Sequence, residues 1–198
     1  GGIAKGAGMI CPDMATMLAF IVTDANIKSS ALKKALKMAV DSSFNRIAVD
    51  NDASTNDTVL VFANGLSGCA EIKSGGRSFE RFASLLSRVS TGLAKMIVMD
   101  GEGATRFIEI NLKGAPSGKE ALRAVKTIAE SMLVKTAFFG ADPNWGRIIA
   151  AIGRSGIRFR DTRVDISFNG VPVVKNGGDT GCGKKAARVL KRRNIIVD

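Results

Sequence analysis

Among its 198 residues the chain has no histidine and no tyrosine. That removes Ser-His-Asp and Cys-His pairs, HExxH zinc sites and every imidazole base in one step. Nucleophilic or acid–base chemistry here must draw on carboxylates, lysine or a terminal amine. Asp50, Asp52 and Asp57 cluster with Asn51 and Asn56, yet the stretch fails as a calcium loop. Thr55 stands where an EF-hand needs glycine, and Val61 where it needs the bidentate glutamate. A hydrogen-bonded turn fits better, because Asn, Asp, Ser and Thr bond readily to nearby backbone. Asp100-Gly101-Glu102-Gly103 sets two carboxylates among glycines, which suits a ligand amine or a plain connection equally. Asp142-Pro143-Asn144-Trp145-Gly146-Arg147 reads either as a polar grip or as a helix start, with its proline fit for a first helical turn. The run 178–184 keeps the GxxxxGK spacing of a phosphate loop, but Lys185 replaces the Ser or Thr that would ligate magnesium. A tight glycine turn before a helix is the simpler reading.

The elements that would position these groups follow from periodicity. Residues 17–23 read as a buried strand, and Ser29 or Ser30 caps a helix to about 45 with Leu32, Leu36, Ala39, Val40 and Phe44 on one face. A short strand is expected at 46–49, while 58–63 is apolar throughout and leaves strand and helix open. Helical spacing runs over 78–98 and a strand over 105–112. Ser117-Gly118-Lys119-Glu120 matches a capping box that opens a helix to about 132. Then come a strand near 134–138, a helix near 145–152, and a hairpin over 165–174 turning at Asn169-Gly170. A basic helix to 193 and a strand at 195–197, which looks cut short, complete the order. Strands alternating with helices predict a layered α/β architecture, and no internal repeat or linker stands out.

Composition sets the remaining bounds. At 45% hydrophobic, the chain can bury one substantial core, or two small lobes sharing one. Apolar runs such as 17–22 and 148–152 fall short of the roughly 20 residues that span a bilayer, and residues 1–8 lack an export core. No membrane partner is expected, and the expected compartment is cytoplasm, or an organellar matrix in a eukaryote. Cys11, Cys69 and Cys182 form no CxxC pair, so neither a disulfide framework nor a metal site is expected. The net charge of +11 admits nucleic acid or anionic substrates. Much of it lies in Lys184, Lys185, Arg188, Lys191, Arg192 and Arg193, where no aromatic residue interleaves to stack on bases, and a solvated helix face is the better reading.

Lys5-Gly6-Ala7-Gly8-Met9-Ile10-Cys11-Pro12-Asp13-Met14-Ala15-Thr16-Met17-Leu18-Ala19-Phe20 resembles the subunit junction of the ornithine acetyltransferase family, also called glutamate N-acetyltransferase or the arginine biosynthesis bifunctional protein. The likeness continues in order through Val49-Asp50-Asn51-Asp52-Ala53-Ser54-Thr55-Asn56-Asp57-Thr58, Asp100-Gly101-Glu102-Gly103-Ala104-Thr105 and the Asp142 to Arg147 motif, and covers essentially the whole chain. Cys11 and Asp13 depart from the family, which commonly has alanine or histidine, and asparagine, at those positions.

The resemblance implies self-cleavage between Ala15 and Thr16, with Thr16 as the catalytic nucleophile, residues 1–15 ending an alpha subunit and 16–198 forming most of a beta subunit. It implies Lys5, Thr16 and Glu102 as substrate-binding residues, and Asn56, Asp57, Asp142, Asn144 and Arg147 as supporting ones. The implied substrates are N-acetylornithine and glutamate. No cofactor is implied, although some members accept acetyl-CoA as acetyl donor. The implied assembly pairs two alpha with two beta subunits, without nucleic acid. The implied fold is α/β, a layered sandwich with mixed sheets between helices. The family's oxyanion donors and a polar substrate-binding tail fall outside these residues. A free α-amine titrates at about 7.7 to 8.0, against about 10.4 for lysine, so in a chain without histidine the amine of a freed Thr16 can serve as its own base. Two rival functions fit the same sequence: an amino-terminal-nucleophile amidase or aminopeptidase, and a non-enzymatic basic nucleic-acid-binding protein.

Overall fold

A computed structural model of the chain describes residues 1–10, 17–52 and 56–198. It divides into two compact units, Gly1–Ala104 and Thr105–Asp198, each with its own buried core. No stretch of linker composition marks that boundary in the sequence.

In the first unit β1 (Gly2–Lys5), β2 (Leu18–Thr23) and β3 (Thr58–Ala63) form a sheet in that order, β1 antiparallel and β3 parallel to β2. The 58–63 run is thus a strand. Register aligns Lys5, Leu18 and Thr58 across one end of the sheet. Residues 6–17 therefore join β1 to β2 at the end where residues 56–57 enter β3. Along β2 the side chains alternate as a half-buried strand must: Ala19 and Ile21 are buried, Phe20 and Val22 exposed. On that open face Ile3, Phe20 and Leu60 lie in one cross-strand line, and Val22 sits beside Phe62.

Helix α1 (Ser29–Ser42) packs against α2 (Gly76–Met99). Two expectations for α1 are corrected. Lys28 holds the N-cap position, with no side-chain cap, and the buried stripe is Ala31, Ala35 and Ala39 while Leu32 and Leu36 are half-buried. Methyl groups four residues apart let the helices approach closely, because interaxial distance follows side-chain size at the contact. The expected strand at 46–49 is instead a 3-10 turn over Phe44–Arg46 followed by irregular backbone. The Val49 N–H bonds to the Ile10 carbonyl (2.6 Å), and residues 47–50 form no strand. With 24 residues, α2 is long and apolar enough to cross a bilayer, which the short apolar runs did not suggest. Its apolar side is a core face: Phe79, Ala83, Leu86, Leu93, Ala94 and Ile97 are buried.

The second unit runs β4 (Phe107–Ile110), α3 (Gly118–Ala129), α4 (Met132–Phe139), α5 (Trp145–Arg154), β5 (Ile166–Phe168), β6 (Val171–Lys175), β7 (Gly178–Asp179), α6 (Gly183–Val189) and β8 (Asn194–Val197). Its mixed sheet has the order β4-β8-β5-β6-β7, so the last strand lies inside the sheet, parallel to β4 and antiparallel to β5. Ser117 caps α3 as expected and meets the Glu120 side chain: its Oγ accepts the Glu120 N–H (3.2 Å) and donates to Glu120 Oε2 (2.9 Å). The hairpin turns at Asn169 and Gly170 with φ of 48° and 77°, the pair of positive values that a type I′ turn requires. The strand expected near 134–138 is helix α4. Ser131 Oγ accepts the Val134 N–H, and Val134, Ala137 and Phe138 reach the core at helical spacing. α6 stops at Val189, short of the expected 193.

Candidate active site at the junction

Two backbone stretches flank residues 11–16, and carboxylates hold both. On the near side, the Met9 and Ile10 N–H groups donate to the two oxygens of Asp50, at 2.6 and 3.0 Å. Ile10 is 1% exposed, so its side chain roots that flank in the core. Met9 takes φ of 52°, in the left-handed region that a side chain disfavours. On the far side, the Met17 N–H donates to Asp57 Oδ1 (2.7 Å) and its carbonyl accepts the Thr58 N–H (3.0 Å). Met17 is buried. Thr16 and Ala15 themselves lie outside the described residues, and Met17 is the residue after Thr16.

Asp57 is half-buried, and burial pushes its carboxyl above the ordinary value of 3.8 while the Met17 N–H pulls the other way. Exposed Asn56 precedes it. Lys5, also exposed, ends β1 opposite Leu18. The exposed Glu102 sits in the turn that follows α2, where its N–H donates to the Ala7 carbonyl (2.8 Å) and the Ala104 N–H to that of Gly101 (2.9 Å). Gly101 seats this turn closely, since a Cβ there would lie 3.1 Å from Val49 Cγ1 and 3.2 Å from the Val98 carbonyl oxygen. A point one bond out from Gly8 is 3.5 Å from both Asp50 Oδ2 and Glu102 Oε2. With no side chain on Gly8, two carboxylates face one small space, which suits an ammonium group.

Lys5, Asp57 and Glu102 therefore come to one region of the first unit. Asp142, Asn144 and Arg147 form their own cluster in the second. There Asn144 Nδ2 donates to Asp142 Oδ2 (3.2 Å), and Arg147 Nη1 donates to the Leu133 carbonyl (2.8 Å) and Thr136 Oγ1 (3.0 Å). Those bonds fasten the start of α5 to α4. The 178–184 run passes from β7 into α6, and between them the Asp179 carboxylate itself takes the Gly181 N–H (2.7 Å). Among the described residues no group of three or more His, Cys, Asp or Glu is placed to hold a metal ion. A cavity of about 490 Å³ beside Thr23, Phe82 and Leu86 lies at the opposite end of the sheet from the junction. Asp50 is the residue that sequence reasoning passed over. Its composition signals a turn, and nothing local reveals that its partners lie 40 and 41 residues upstream.

A profile of the ArgJ family matches residues 1–198. The arginine biosynthesis bifunctional protein ArgJ of Desulfotalea psychrophila is 52% identical over 198 residues, which cover 99% of this chain and 50% of that protein. Glutamate N-acetyltransferase of Methanocaldococcus jannaschii is 50% identical over 208 residues, covering 100% of this chain and 51% of that one. The chain thus spans about half the length of the curated relatives it matches. The crystal structure of arginine biosynthesis bifunctional protein ArgJ from Bacillus halodurans superposes with a TM-score of 0.85 at 41% identity, covering 90% of this chain and 85% of that one. This likeness bears out the expected α/β fold with mixed sheets. With a profile match along its full length and a solved relative of the same fold, the chain belongs to the ArgJ family.

Proposed function

We propose that the complete protein is a self-cleaving acetyltransferase that moves acetyl from N-acetylornithine to glutamate through Thr16. The Thr16 hydroxyl adds to the Ala15 carbonyl, the peptide C–N bond breaks, and the hydroxyl proton ends on the Thr16 nitrogen. Water then hydrolyses the ester, leaving a carboxylate on Ala15 and a free amine on Thr16. In turnover that amine takes the hydroxyl proton as Thr16 attacks the acetyl carbonyl of N-acetylornithine, and the proton leaves with ornithine. Glutamate's amine next takes the acetyl group and restores the hydroxyl. The observation that carries this reading is the ArgJ family match along residues 1–198, and it is supported by the hold on Met17, whose N–H bonds to Asp57 one residue beyond the bond to be cut.

Lys5 binds the α-carboxylate that both substrates share, and Glu102, facing the space beside Gly8, binds a substrate amine. Residues 1–15 end the alpha subunit and 16–198 belong to the beta subunit. The rest of the protein supplies the oxyanion donors and tail, two alpha and two beta subunits assemble, acetyl-CoA is an alternative donor, and the compartment is cytoplasmic. Incubating the complete, processed protein with N-acetylornithine and glutamate tests the proposal. Ornithine and N-acetylglutamate should appear in equal amounts. Acetate release without transfer would overturn it in favour of an amidase.

A further inference from the structure

We infer that Asp50 and Asp57 are positioning residues for self-cleavage, fixing the backbone on the two sides of the scissile peptide. The inference rests on the proposed function, because it assigns a task within the cleavage at Ala15 and Thr16.

Attack of a threonine hydroxyl on the carbonyl just before it closes a small ring within one residue. Most backbone conformations hold the two atoms apart. Restricting the chain on both sides raises the share of conformations that can react, and ordered reacting groups gain large factors in rate. Asp57 acts one peptide unit away, because the Met17 nitrogen that it holds is bonded to the Thr16 carbonyl carbon. Asp50 acts on the other flank with both oxygens, and it holds Met9 in a left-handed conformation that a side chain disfavours. Both acids belong to one segment, whose Val49 and Thr58 N–H groups also bond to Ile10 and Met17. Five side-chain and backbone ties thus fasten residues 49–50 to one flank of the junction and residues 57–58 to the other.

The residue type supports this role. A carboxylate bond to a backbone N–H is charge-assisted and roughly twice as strong as a neutral one. Among the described residues, neither Asp50 nor Asp57 is paired with a lysine or arginine; they hold the junction backbone and, for Asp50, the Asp52 N–H (3.2 Å) of its own turn. Neither acid takes or gives a proton in the cleavage. Each only places atoms.

The test follows the cleavage of the complete precursor over time by mass, with the thermal midpoint recorded for every variant. Asp50→Ala and Asp57→Ala should each slow the appearance of the fragment beginning at Thr16 about tenfold or more. Asp50→Asn and Asp57→Asn keep an acceptor oxygen in place and should recover much of that loss, and slow cleavage in an alanine variant whose thermal midpoint stays near wild type separates positioning from a general loss of stability. Should the alanine variants fail to fold, Asp57→Glu decides the matter: it keeps the charge, shifts the acceptor by one methylene, and should also slow cleavage. Added hydroxylamine, which opens esters, should not speed the slow variants, because the ester itself forms slowly in them. Folded alanine or glutamate variants that cleave at the wild-type rate would overturn the inference, as would acceleration by hydroxylamine. A wild-type precursor that never cleaves would sink the proposed function instead, so the two failures are distinguishable.

Discussion

Around Gly8 the charges are arranged by sign, with Lys5 ending β1 before the loop and the Asp50 and Glu102 carboxylates facing the space that Gly8 leaves open. Hydrogen bonds to charged groups contribute about 1.5–3 kcal/mol, so Lys5→Met and Glu102→Gln should raise the KM for N-acetylornithine by roughly ten- to a hundredfold. Steady-state kinetics on processed enzyme will show this, with self-cleavage left close to wild type. Asp57 makes a different prediction, in pH. Its folded carboxyl sits above 3.8 because burial disfavours the charged form. The native state therefore holds this proton more tightly than the unfolded chain. The stability it contributes is complete below the unfolded value and is lost as pH rises through the folded one. Asp57→Asn should flatten that part of the stability curve, as thermal melts taken from below 3.8 upward will reveal; an unchanged slope would contradict the assignment.

At the scale of elements, what the sequence made legible was local. The Ser117 cap, the Asn169-Gly170 hairpin and the long α2 period each depend on residues a few positions apart, and each is found. Ser117→Ala should cost about 1 kcal/mol in urea unfolding of the chain. Misreadings arose where tertiary contacts decide. The β-branched residues of 134–138 suggested a strand, but the Ser131 cap and the 134/137/138 core spacing make α4. At 46–49 no strand among the described residues pairs with the segment. Likewise the buried alanines of α1 follow from α2, which local hydropathy does not see. Of the candidate site, the residue types and the junction motif could be read directly, whereas Asp50 could not, because its bonds close a 40-residue loop. Gly177 shows the same dependence. It has φ of 75°, and a Cβ there would lie 2.5 Å from the Asp161 carbonyl oxygen. Gly177→Ala should cost more than about 1 kcal/mol, and a wild-type melting temperature would contradict that contact.

For the molecule as a whole, family membership covers every residue of the chain but only about half the length of its curated relatives. The apolar line of Ile3, Phe20 and Leu60 stands open on a sheet whose other face is packed. The 198-residue chain assayed alone should show little acetyl transfer, and joining the remainder of the protein should restore it. Initial rates of the complete enzyme, with N-acetylornithine varied at several glutamate concentrations, should give the parallel double-reciprocal lines of a two-step exchange through acetyl-threonine. Intersecting lines would argue for direct transfer. If glutamate is the acceptor, as proposed, the charge of +11 on these residues should make its binding weaken with added salt, most steeply in dilute buffer. Whether Thr16 becomes an amino-terminal nucleophile is read from the mass of the complete protein after folding. Two fragments should appear, the second beginning at Thr16, and Thr16→Ala should give a single intact, inactive chain. An uncleaved wild-type chain with full transfer activity would contradict that role for Thr16.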